Sequence, residues 1–355
     1  MQLKAFIGAC AAAVLLTGPA HAQLALTPQG VTDGFTLTTF LSGYTPAQYG
    51  PLAQGILPDG NVVTGSAFVG TPGEGTIYIF KDADNQTLSS ALSAATYTYT
   101  TGNPQYAMAT AGGQVYGAQA FGGVYEHFTN TGAHTALAGP VSAARSYLGM
   151  WGDPVNGHII SSSYQGLLDI NPLTGTFRVI ATNPGIDGVT ISPDGKTVYA
   201  EAGGNILAYD YASGALLHTY SGNGHFPDGT GVIAGGQLSG DIVVNNNDGT
   251  VGLLDPTTGV ETIIATGGTR GDFVSPDTSN GTLFLSQNER IDRLSCGTGC
   301  SIGSSGGGGT GVPEPATLAL FGLGLAALGL RRRRQRPGGR APCAGVTSAI
   351  TPKAG

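Results

Sequence analysis

Charge is scarce in this chain: Asp, Glu, Lys and Arg make up 10% of it, where about a quarter is usual. So few charges, with a net of −7, exclude the basic stripe that nucleic-acid binding needs. Six arginines are concentrated in residues 331–340, so the rest of the chain is more acidic still. Cysteine is nearly absent, at 4 residues, with Cys10 and Cys343 in the terminal segments. The remaining pair, Cys296 and Cys300 in CGTGC, can close a disulfide loop in an oxidising compartment, stay as free thiols, or form half of a metal site. No second Cys/His pair stands at ligand spacing. Also missing are G-x-S-x-G, H-E-x-x-H, a Walker loop and a dinucleotide fingerprint.

Glycine is abundant, at 60 residues, yet hydrophobic residues at 41% leave ample material for a core. The glycines punctuate short β-rich runs. From Gly188 to Gly222 the chain reads as four strands, separated by Pro193-Asp194-Gly195, Gly203-Gly204 and Ser213-Gly214. Such turns supply the positive φ that hairpins require. One small sheet of this kind cannot fold alone.

The sequence supplies copies. Aligned on the third strand they are Thr76–Asp84, Val124–Gly132, Leu167–Gly175, Ile206–Gly214, Val251–Gly259 and Ile291–Gly299. Their spacing of about 40–48 residues is that of four-stranded propeller blades. Fourth strands are expected at Leu88–Ala94, Thr135–Leu137, Phe177–Ala181, Leu216–Tyr220 and Val260–Ala265. The sixth copy lacks one, and Phe35–Leu41 stands unpaired before the first copy. Pairing Phe35–Leu41 with Ile291–Leu294 would close the ring and remove its open edges. The expected fold is all-β, a propeller of six four-stranded blades; the rivals are a seven-bladed ring, because the first copy (Tyr44–Thr101) is long and irregular, and a β-sandwich pair. The Cys296–Cys300 loop would sit at the seam. The Ser192–Tyr199 phrase SPDGKTVY, with its Asp-x-x-Ser-Gly turn downstream, resembles propellers of the YVTN, NHL and lactonase kinds.

Both ends read as addresses. Met1–Ala22, with Lys4, the apolar Ala5–Leu16 and Ala20-His21-Ala22, has the pattern of a signal peptide cut by signal peptidase before Gln23. Toward the other end, a Gly/Ser linker (303–311) leads to Pro313-Glu314-Pro315, an apolar transmembrane run Ala316–Leu330, and the basic stop Arg331, Arg332, Arg333 and Arg334. This order (312–334) looks like the PEP-CTERM sorting signal of Gram-negative bacteria. The resemblance implies that an exosortase, a membrane transpeptidase, recognises Pro313, Glu314 and Pro315 and removes the helix and basic tail. It further implies inner-membrane anchoring before release to the surface, and association with exopolysaccharide and biofilm matrix. Such signals normally stop after the arginines; here Gln335–Gly355 follows, a tail with no strand or helix pattern.

Within a propeller (residues 23–302), the first-to-second and third-to-fourth strand turns emerge on one face. Asp59, Asp194 and Asp277 are therefore expected to be turn residues on that plain face. The opposite face should carry Tyr44, Tyr49, Arg145, Tyr147, Tyr164, Asp187, Glu201, His225, Asp228, Arg270, Asp272 and Glu289. Asp187, Glu201, Asp228, Asp272 and Glu289 offer the oxygen donors that Ca²⁺ takes. The gluconolactonase-like resemblance implies such a metal, which can polarise a lactone carbonyl. His225, in the glycine-rich SGNGHFPDG loop, is the candidate acid or base, because streptogramin-lyase-like propellers use a channel histidine. Tyr44, Tyr49, Tyr99, Tyr106 and Tyr147 suit stacking on sugar rings. The leading expectation is an exported, exosortase-sorted, monomeric propeller acting as a non-enzymatic binding or matrix protein. The alternative is a periplasmic lactonase- or lyase-like enzyme with an acidic metal site.

Overall fold

The computed structural model describes residues 23–44, 51–65, 75–98, 103–183 and 185–303. The leader, the linker beyond Gly303, the Pro313-Glu314-Pro315 motif, the apolar run, the arginine stop and the tail lie outside the described residues, as do Tyr49 and Tyr99 and the side chain of Tyr106. Among the described residues no helix is long and apolar enough to cross a membrane.

Six antiparallel sheets follow one another as propeller blades. Blade 1 is Gln54–Ile56, Val62–Thr64, Thr76–Phe80 and Ser93–Thr96; blade 2 is Asn103–Ala111, Gln114–Ala120, Tyr125–Phe128 and His134–Ala136. Blade 3 is Ser146–Gly152, Ile159–Ser163, Gly166–Asn171 and Thr176–Ala181; blade 4 is Val189–Ile191, Thr197–Ala202, Asn205–Asp210 and Leu216–Ser221. Blade 5 is Pro227–Ala234, Ile242–Asn246, Val251–Asp255 and Val260–Thr266. Blade 6 takes Val274–Asp277, Thr282–Ser286 and Arg290–Ser295 from late in the chain and Thr36–Ser42 from its start. The core is apolar packing between neighbouring sheets, such as Ile56, Val62 and Phe80 of blade 1 against Phe40, Phe284 and Ile291 of blade 6.

The ring therefore closes as the orphan strand requires, with Leu37 opposite Leu294 and Leu41 opposite Ile291. In blade 1 the fourth strand begins later than its apolar pattern suggests. Leu88–Ser90 forms a 3₁₀ turn, capped by Ser90, whose hydroxyl accepts from the Thr87 N–H and donates to the Thr87 carbonyl. Local hydroxyl bonds of this kind compete with strand pairing. The displaced Gln86–Thr87 instead pairs in parallel with Leu41–Ser42 and ties blade 1 to blade 6.

Two short strands add straps. Ala25–Leu26 extends the outer edge of blade 5, and Ser301–Ile302 pairs with Ile233–Ala234 at the end of that blade's inner strand. Gly303 donates its N–H to the Val232 carbonyl at 2.8 Å and lies against Trp151 of blade 3 and Pro276 of blade 6. Residues 301–303 thus link blade 5 to Trp151 of blade 3 and Pro276 of blade 6.

Cys296 and Cys300 form a disulfide with Cα atoms 5.7 Å apart. Its loop lies between the third strand of blade 6 (Arg290–Ser295) and the Gly235-Gly236 turn of blade 5, where the Gly299 carbonyl and Cys300 Cβ approach the two glycines. Replacing both cysteines by serine is expected to cost about 2 kcal/mol, the loop-closure entropy of so short a loop. Melting with and without reductant measures it, and a reductant-insensitive wild type would show that the loop does not hold the seam.

Candidate functional site

The site is built by a repeated local device. Asp187 precedes the inner strand of blade 4, Asp228 begins that of blade 5, and Asp272 precedes that of blade 6. The first two are followed by glycine. A Cβ on Gly188 would strike the Asp228 carbonyl and the Glu201 carboxylate. One on Gly229 would stand 3.1 Å from the Asp272 carbonyl. Glycine there lets consecutive inner strands approach closely, so three aspartates collect at one mouth of the channel. Glu201, near the end of blade 4's second strand, joins them: its N–H donates to the Gly188 carbonyl at 3.0 Å and its carbonyl accepts from Asp187 at 2.8 Å.

Arg270 lies among these carboxylates. Its Nη2 donates to Asp228 Oδ2 at 3.1 Å, its Nε donates to Asn247 Oδ1 at 2.6 Å, and its Nη1 is 3.6 Å from Asp272 Oδ2. The Asn245 amide donates to the Asp272 carbonyl at 2.8 Å, leaving its own Oδ1 buried without a hydrogen bond.

The electrostatics follow from burial. Glu201 is 1% exposed and neither carboxylate oxygen has a hydrogen-bond partner. Burial, with the Asp228 charge a lesser cause, pushes Glu201 up to about 7. The nearby Thr230 hydroxyl pulls the other way, although it stands outside hydrogen-bonding geometry. Asp187 and Asp272 are raised well above the usual carboxylate range, first by burial and then by the Asp228 charge. Asp228 is raised by burial and held back by Arg270. Asp187 and Asp228 each act on the other's titration, as two neighbouring carboxyls do when both cannot ionise freely. With a single guanidinium among them, these four groups cannot all be ionised near neutral pH without a further partner.

The other expected residues fall elsewhere. Glu289 is half-buried in the turn between Thr282–Ser286 and Arg290–Ser295 of blade 6. His225 pairs through Nδ1 with Asp248 Oδ2 at 2.6 Å, a half-exposed pair at the rim. Tyr44 is core, with its hydroxyl 3.2 Å from that of Thr64. Asp59 and Asp194 are turn residues, accepting the Asn61 and Lys196 N–H groups. Asp277 is one as well, accepting from the Ser279 N–H, but it is fully buried and also takes Arg293 Nη1 at 2.6 Å. Arg293 and Asn245 carry structural weight that no motif announces.

The oxygen donors suit a hard cation, but their arrangement does not. Among the described residues no three His, Cys, Asp or Glu side chains are grouped to hold a metal ion, and Arg270 already bonds Asp228. What the mouth offers is a row of hydrogen-bond acceptors with one forked donor. A cleft of about 520 Å³ lies on the plain face, between Ser192–Asp194 and Gly235–Gly240. Its carboxylate, Asp194, is already engaged by Ser192 and Lys196.

Residues 311–334 match the PEP-CTERM protein-sorting motif. No curated protein sequence matches the chain. Among solved structures, a gluconolactonase from Xanthomonas campestris is similar, at 16% identity and a TM-score of 0.56, over 78% of this chain and 97% of that one. A Bacteroides thetaiotaomicron protein of unknown function follows at 11% and 0.53, over 74% and 76%. An auxiliary nutrient binding protein from the same organism matches at 12% and 0.50, over 74% and 76%. At such identities the likeness is one of fold, and propellers serve both enzymes and binders. The chain is thus a six-bladed β-propeller, similar in fold to a gluconolactonase, that carries a PEP-CTERM motif and with it the mark of an exported, exosortase-sorted protein.

Proposed function

We propose that this is a surface or extracellular-matrix protein that binds a hydroxyl-rich ligand, of the exopolysaccharide kind, without transforming it. The observation that carries this reading is the acceptor-rich mouth, where Glu201 is buried with both carboxylate oxygens free of hydrogen bonds. A buried acceptor in that state is costly unless a ligand completes it. Sugar hydroxyls donate to carboxylates, and a guanidinium donates to ring and hydroxyl oxygens. Signal peptidase processing at Ala22, anchoring by 316–334 and release by exosortase would deliver the propeller to the polysaccharide.

Retention of the full chain on the producing cells' polysaccharide tests this. Asp272→Asn, which keeps shape but replaces a carboxyl oxygen by an amide, should reduce retention about tenfold, the effect of losing one hydrogen bond to the ligand. Deleting 313–334 should abolish surface delivery. Full retention by Asp272→Asn would overturn the site, and unchanged delivery by the deletion would overturn the sorting route. One observation favours a second reading, a lactonase- or lyase-like hydrolase: Glu201 is buried with both oxygens unpartnered and is pushed up to about 7, the range of a general base. Turnover of a lactone by the wild type, lost in Glu201→Gln, would support that alternative, and no turnover would remove it.

A further inference from the structure

Beside the carboxylates, the same face carries three aromatic rings in file. Phe121 meets Tyr147 edge-on, with centroids 5.4 Å apart and planes at 88°, and Tyr147 meets Tyr164 at 5.4 Å and 70°. Phe121 is 39% exposed and Tyr164 50%. The patch is held in place by specific bonds. Phe121 has φ 57°, a left-handed conformation that bulky residues avoid. Its N–H donates to the Tyr147 carbonyl at 3.2 Å and that of Gly122 to the Ser146 carbonyl at 2.8 Å. The Ser146 hydroxyl closes onto the carbonyls of Gln119 and Gly123. Blade 2's loop is thereby fastened to blade 3's inner strand, and the rings are fixed before any ligand arrives. The patch also adjoins polar groups: Arg145 lies over Gly122 beside the Tyr164 ring, and Asp187 is close enough to act, after burial, on the Tyr147 phenol.

We propose that Phe121, Tyr147 and Tyr164 form a stacking platform for successive pyranose rings of a neutral glycan chain, whose end enters the carboxylate mouth. This rests on the carbohydrate reading above and extends it to a ligand longer than one sugar. A pyranose presents a C–H face that packs on an aromatic face and an equatorial hydroxyl edge that needs acceptors. Rings set edge to face, with Arg145 and Asp187 between and beside them, match that alternation. An apolar peptide or lipid would instead require a continuous apolar patch. An anionic chain would add its charge to carboxyls that already cannot all ionise together.

The test is calorimetric titration of the full chain with glucose and with three neutral hexasaccharides: cellohexaose, maltohexaose and laminarihexaose. At least one hexasaccharide should bind more tightly than glucose. Phe121→Gly removes the ring but suits the left-handed backbone, so its melting temperature should not fall. Its affinity for that hexasaccharide should drop about tenfold, with glucose affinity unchanged. Glu201→Gln should weaken both. Unchanged hexasaccharide affinity in Phe121→Gly overturns the platform and leaves the mouth intact. No binding of any of the four sugars, or no effect of Glu201→Gln, overturns the carbohydrate reading and the platform with it.

Discussion

Replacing Arg293 by alanine should cost about 3–5 kcal/mol of stability, the penalty for removing one partner of a buried ion-pair network. Arg293 belongs to the third strand of blade 6 and bonds Asp277 in the same blade at 2.6 Å. It also pairs with Asp82 and Asp84 from blade 1, the latter at 2.9 Å. Its guanidinium lies 5.1 Å from the Phe40 ring of the closing strand and 4.8 Å from that of Phe284. Three carboxylates at the ring seam thus depend on one cation. Asp277 shows the consequence: burial and the Asp82 charge raise it, and Arg293 opposes them. Lysine cannot reproduce the planar fork, so Arg293→Lys should recover only part of the loss. Denaturant titration checks both variants. A loss below about 1 kcal/mol, the scale of an exposed pair, would mean that hydrogen bonding of Thr36–Ser42 alone closes the ring.

The second large effect concerns pH. Glu201 moves from 4.5 to about 7 on folding, so the folded state binds its proton more tightly than the unfolded state does. That contribution to stability is fully present below about pH 4.5 and is lost as pH rises through 7. Its size is about 3 kcal/mol, at about 1.4 kcal/mol per pH unit. Asp187 and Asp272, both raised, act in the same direction. The ligand-free protein should therefore be more stable at pH 5 than at pH 8 by about this amount. Glu201→Gln should make the profile less steep and be the more stable protein at pH 8. Denaturation at the two pH values reads the difference, and a wild type that gains stability toward pH 8 would contradict the buried, unpartnered state of Glu201.

Much of the propeller is legible in the chain because each strand is bounded by residues that only a turn tolerates. The repeat locates Leu216–Ser221 and Val260–Thr266 within a residue, and the one blade missing a strand identifies Thr36–Ser42 as its partner. What escapes reading is whatever depends on distant chain. Ala25–Leu26 and Ser301–Ile302 are two residues each, too short for a pattern, and exist only because blade 5 offers edges. In blade 1 the hydroxyls of Thr87 and Ser90 outweigh an apolar pattern at Leu88–Ala94.

The candidate site divides along the same line. Asp187, Asp228 and Asp272 could be placed on one face because blade equivalence fixes where an inner strand starts. That Arg270 bonds Asp228 and lies beside Asp272, and that His225 turns to Asp248 instead, depends on loop paths that no period encodes. Phe121 is recognisable only afterwards: an aromatic in the Phe-Gly-Gly segment of an inner loop holds a conformation suited to the glycines beside it.

Hydrogen exchange of the full chain, with and without the producing organism's polysaccharide, tests most directly which face binds. Protection is predicted at 119–123, 145–147, 187–188, 226–230 and 270–272, around the carboxylates and the aromatic file. Protection confined to the plain-face turns at 58–60, 193–195 and 235–240, with the carboxylate mouth unchanged, would contradict it.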